Sequence, residues 1–183
     1  MFSTLATMGF ASHVIGNIFH ECCKQHAFGE STIDGNLEKL AEKIYLYYKD
    51  NKQITSKLQG KLTKERVKTS KGWLKLKAKA AQTRHLAPFA LALAREHLEP
   101  RRIAICQLLC TFHAMLDEEG MFLSEEAKIR MPILGQRMCG LYAQLSSAAL
   151  AQGSRGWTMT PKVHLMMHIL EWLAPCCVQC SRV

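Results

Sequence analysis

The chain has no apolar run approaching the roughly 20 residues of a bilayer-crossing helix, so its sequence offers no membrane span. The first 20 residues carry no Asp, Glu, Lys or Arg, yet they lack the basic start of a secretory leader, and His13, Asn17 and His20 interrupt their apolar pattern. Sustained strand alternation is missing, which argues against a β fold. The glycines are scattered and none precedes a Gly-Lys-Ser or Gly-Lys-Thr step, so there is no phosphate-cradling loop. No nucleophile motif surrounds any of the eight cysteines, and helix-turn-helix, zinc-finger and RNP-like signatures are missing. Acid is scarce where base is dense: nine cations (Lys61, Lys64, Arg66, Lys68, Lys71, Lys75, Lys77, Lys79 and Arg84) face a single acid, Glu65.

What is present is a globular composition. Apolar residues make up 48% and charged residues 21% of 183, enough for one domain, or one domain with an arm, to bury a core. The net charge of +9 lies almost wholly in the 61–84 segment. Cys106, Cys110 and Cys139 fall on apolar helical faces, where a free thiol behaves as a small hydrophobe. With no leader found, a reducing compartment, nucleus or cytoplasm, is the expected setting.

Helical periodicity runs through most of the chain. The most apolar stretch is Ile103–Leu116, 14 residues without a charge, whose bulky side chains point in almost every direction around a helix axis; this predicts a buried central helix from Pro100 to Gly120. Before it, Phe10, Val14, Ile15, Ile18 and Phe19 predict a helix from about Met8 to Cys23. Asn36 is the expected cap of a second helix, Leu37 to Tyr48. Residues 49–72 are polar and weakly periodic, an exposed connector or an irregular helical arm. Helix resumes at Trp73 and is interrupted or bent near Pro88. Asp117, Glu118 and Glu119 carry the wrong sign for a helix C-terminus, so the basic segment is expected to compensate them. Ser124 opens a short helix, and Pro132 starts a longer one with Leu134, Met138, Leu141, Tyr142, Leu145 and Leu150 on its apolar face. The predicted fold is all-α, an irregular bundle of about six or seven helices: an N-terminal pair (1–48), the basic connector (49–72), a helical core (73–174) and a Cys-rich tail (175–183).

The densest local pattern is WTMTPKVHLMMHILEW, Trp157 to Trp172. Thr160 is a suitable cap and Pro161 a suitable first helical residue. Val163, Met166, Met167, Leu170 and Leu173 then share one face, while Pro161, His164, His168 and Glu171 form a second stripe. Two imidazoles one turn apart can reach one metal ion. The zinc-protease pattern needs Glu directly after the first His, and Leu165 stands there. With Cys177 and Cys180, His164 and His168 make a candidate zinc set, although Pro175 and the short gap make it tight. The alternative is two packed or hydrogen-bonded surface histidines.

TPKVHLMMHILEW resembles a PK-x-H-x-x-x-H block of transposase-like proteins of eukaryotic mobile elements and their domesticated relatives. LKAKAAQTRHLAPFALALA (Leu76–Ala94), LDEEGMFLS (Leu116–Ser124) and GFASHVIGNIFHE (Gly9–Glu21) look like further helical blocks of the same proteins. That resemblance implies the helical region often inserted in an RNase-H-like core whose carboxylates bind two metal ions. No position here matches a catalytic carboxylate, and the blocks expected to carry them lie outside residues 9 to 172. A non-catalytic helical portion of a larger protein is the expectation.

Three readings follow. The first is non-specific binding of DNA or RNA through Lys61 to Arg84, with Trp73 stacking or anchoring; if helical, Lys64, Lys68, Lys71 and Lys75 share a face. The second is a structural or protein-interaction domain, self-associating or partner-binding, with the same lysines solvated or paired to local acids. The third is the small zinc module.

Overall fold

The computed structural model describes residues 2–69, 71–119 and 123–173. Among them the chain is all-α, with seven helices: α1 (Phe2–Lys24), α2 (Ile33–Asp50), α3 (Lys64–Val67), α4 (Ala80–His97), α5 (Pro100–Glu119), α6 (Glu125–Ala151) and α7 (Pro161–Leu173). None is long and apolar enough to cross a membrane.

The bundle is built around α1. Phe10, Val14, Ile15, Ile18, Phe19 and Cys22 are fully enclosed, and α1 packs on α2, α3, α4, α5 and α7. The helix expected at the centre, α5, lies instead on one side, against α4 and α6 with a smaller contact to α1. Ile105, Cys106, Leu109, Phe112 and His113 of α5 are buried, while Gln107, Thr111 and Ala114 face outward. A run without charge is not an apolar run: Gln107 and Thr111 supply a face that water solvates.

Local chemistry moves several expected boundaries. Thr32, not Asn36, caps α2, its hydroxyl accepting the Gly35 N–H at 3.0 Å. Asn36 is buried in the first turn, where it accepts the Phe28 N–H and donates to the carbonyls of Glu30 and Thr32, tying the preceding loop to the helix. Ser124 caps α6 through the Ala127 N–H. That helix continues through Pro132 to Ala151 rather than restarting there; Met131 and Pro132 are both buried, so core packing offsets the bond the proline removes. On its apolar face Met138, Tyr142 and Leu145 are buried as expected, but Leu150 is 79% exposed. Pro88 likewise stays inside α4. Arg84 of the basic segment pairs with Asp117, the expected compensation, while Glu119 accepts from the Ser124 N–H and hydroxyl.

A polar seam runs down α1. His13, Asn17 and Glu21, four residues apart, occupy one stripe. His13 Nδ1 donates to the Leu74 carbonyl at 2.9 Å, and its Nε2 pairs with the Thr160 hydroxyl at 3.2 Å. Asn17 accepts the Trp157 N–H at 2.6 Å and donates to the His13 carbonyl at 2.7 Å. Glu21 accepts from Trp157 Nε1 at 2.5 Å and from Arg102 at 3.0 Å. Buried groups without water must find such partners, and here they pin residues 73–79, the 153–160 loop and α5 to one helix. Trp157 is 1% exposed and sits at φ 52°, a backbone region that non-glycine residues seldom occupy. Asn17 holds it there.

Candidate nucleic-acid interface

The basic segment is neither a helix nor a free arm. After α3 the chain makes a tight excursion in which Thr69 N–H donates to the Trp73 carbonyl at 2.8 Å, and Lys68 bridges Leu74 antiparallel. Gly72, at φ +85°, makes the turn. Residues 73–79 then return as an extended strap: Lys75 N–H to the Val67 carbonyl, Lys77 N–H to Arg66, and Leu76 N–H to Ser12 of α1. Leu74 and Leu76 point inward at 5% and 0% exposure, and Lys77 and Lys79 point out. The strap lies so close that a Cβ at Gly16 of α1 would stand 2.5 Å from Leu76 N. The helix expected from Trp73 therefore begins only at Ala80, and the shared helical face of Lys64, Lys68, Lys71 and Lys75 does not exist.

The nine cations separate into two groups. Lys64 is paired with Asp34 at 2.6 Å, Arg66 holds the carbonyls of Gln59 and Lys61, and Arg84 is bound to Asp117. Those three serve the fold. Lys61, Lys77 and Lys79 are exposed, with Glu65 within electrostatic reach of Lys77. Lys68 and Lys71 are exposed at the turn and Lys75 is half-buried on the strap, with Lys71 Nζ standing 5.5 Å from the centre of the half-buried Trp73 ring.

Three further cations join them from distant sequence. Arg155, exposed in the loop before Trp157, lies over the turn: its Nη1 is 3.1 Å from where a Gly72 Cβ would be, and Lys68 Cε is 3.8 Å from the same point. Lys162, in the first turn of α7, and Lys24, at the end of α1, are the others. Titratable neighbours register the resulting field. His20 is held below its ordinary value by burial first, then by Lys24 and Lys68. Lys75 is lowered by burial and then by Lys162. His13 is lowered by burial, with Lys75 and Lys162 adding to it. Among the described residues none of Lys24, Lys68, Lys71, Lys75, Arg155 and Lys162 pairs with a carboxylate. No protein-family model, curated protein or solved structure matches the chain.

Such a face can neutralise phosphates from a surface, with Trp73 beside it, but offers no side chain set in a groove-reading helix. Sequence reasoning missed Arg155, Lys162 and Lys24 because nothing near them in sequence is basic enough to stand out; only the seam that fixes the 153–160 loop on α1 brings them in. The expected metal set is half visible. His164 and His168 meet on the exposed side of α7, Nε2 to Nε2 at 2.9 Å, while Cys177 and Cys180 lie outside the described residues. No group of three or more metal-capable side chains occurs among the described residues. Val163 and Met166 are buried as the helical face requires.

Proposed function

We propose that this chain binds nucleic-acid phosphates without sequence preference, through a face centred on Lys68, Lys71 and Lys75 and widened by Arg155, Lys162 and Lys24. The observation that carries it is convergence: cations from four separate parts of the chain meet with no carboxylate partner among the described residues, although like charges repel. We propose further that Leu76–Ala94 and Thr160–Trp172 are helical blocks of the transposase-like kind, which would make DNA the ligand to test first. The free thiols of Cys22, Cys23 and Cys106, all buried, support a reducing compartment such as nucleus or cytoplasm.

The test is fluorescence anisotropy of a labelled DNA duplex across salt concentrations. Binding should weaken linearly in log–log form, with a slope near −0.9 for each phosphate neutralised, so about −3 to −5 overall. Arg155→Gln should reduce the slope by about one, and Lys68→Gln with Lys71→Gln by about two. Lys64→Gln, which removes only a cation already paired, should leave the slope unchanged. A folded protein that does not bind at low salt would leave the competing reading, a structural or protein-interaction helical domain, to be followed by light scattering.

A further inference from the structure

His164 and His168 are exposed on α7, with ring centres 4.4 Å apart, planes at 85° and Nε2 atoms 2.9 Å apart. From this geometry we infer that the pair is a two-point chelate for a divalent transition ion of the nickel or copper class, independent of the nucleic-acid face. The 2.9 Å separation is that of the hydrogen bond between the rings and shows that both Nε2 atoms reach one point on the exposed face. Two imidazoles leave the rest of the sphere to water, which suits the square-planar or octahedral preference of Cu(II) and Ni(II) better than the four-ligand tetrahedral sites that hold structural Zn(II).

In the ion-free pair one Nε2–H donates to the other Nε2. In the chelate the donor carries its proton on Nδ1 instead, each ring turns to direct its Nε2 lone pair at the ion, and two metal-bound waters leave. The helix supplies the spacing, since positions i and i+4 stand one above the other. Water completes the remaining positions. Unlike the zinc set read from the sequence, this site needs no cysteine.

Calorimetric titration of NiCl2 into the full chain tests it, against His164→Ala, His168→Ala and a triple variant with Cys176→Ser, Cys177→Ser and Cys180→Ser. One ion per chain is expected, with either histidine change weakening binding by more than the roughly 10- to 100-fold cost of losing a supporting contact. The cysteine variant should bind as the intact chain does, and ZnCl2 should bind more weakly than NiCl2. Nickel binding that survives both histidine changes, or disappears with the cysteines, overturns the site. Zinc binding tighter than nickel overturns the assignment to the nickel or copper class.

Discussion

At the residue scale, Asn17 does more than its position in an apolar helix announces. Its side chain is fully enclosed and meets the Trp157 N–H and the His13 carbonyl at once. Asn17→Ala leaves that N–H unpaired inside the protein, on a tryptophan already in the left-handed region, and should cost about 1–3 kcal/mol in urea unfolding. His113 has a different consequence. It is 8% exposed, its Nδ1 has no hydrogen-bond partner among the described residues, and it lines a cleft of about 930 Å3 beside Arg84 and Asp117. Burial, with Arg84 adding, lowers its pKa from 6.5 to about 4. The folded state thus keeps the ring neutral where the unfolded chain takes up a proton. Its contribution is complete above about pH 6.5 and is lost as pH falls towards 4. On the order of 3 kcal/mol is at stake from this group. His13 and His20 are lowered too and act in the same direction. Unfolding curves between pH 7 and 4 should therefore steepen on the acid side, and His113→Leu should flatten part of that loss.

At the element scale the decisive contact is α1 against the strap. Gly16 exists for it: a methyl group would fall 2.5 Å from Leu76 N and 2.7 Å from the Lys75 backbone. Backbone cannot yield as a flexible side chain can, so Gly16→Ala should push the strap away, break the Leu76 N–H bond to Ser12, and cost about 1–3 kcal/mol or more. Trypsin should then cut faster at Lys75 or Lys77, whose backbone N–H groups are bonded to Val67 and Arg66 in the intact protein. The strap also shows where sequence reasoning stopped. Leu74-Lys75-Leu76-Lys77-Ala78-Lys79 alternates with the period of a strand, but the alanines that follow extend a helical pattern backwards over it, and an extended strap paired to a helix carbonyl has no signature of its own. The all-α class, most of α1 and the starts of α5 and α7 were legible because periodicity, Pro100 and Pro161 act locally. Which helix lies at the centre was not, since that depends on which apolar faces find partners. The site was legible by halves for the same reason: a charge run is visible in one dimension, and Arg155 over Gly72 is not.

At the scale of the whole molecule the question is whether the charge belongs to the chain or to the fold. An unfolded chain keeps the 61–84 run and would bind a polyanion with all nine of its cations. The folded protein withdraws Lys64, Arg66 and Arg84 into internal partners but adds Arg155, Lys162 and Lys24 at one face. If assembly of that face is what binds, a short duplex stabilises the folded state. At 100-fold above its Kd this amounts to at most about 2.7 kcal/mol, a rise in Tm on the order of 5–10 °C, reduced by whatever binding the unfolded chain retains. The rise should vanish at high salt and shrink in a variant carrying Arg155→Gln and Lys162→Gln, whose sequence still contains the full 61–84 run. A fall in Tm on adding duplex would mean that the unfolded chain is the better ligand, and that the convergence at Gly72 is not a binding face.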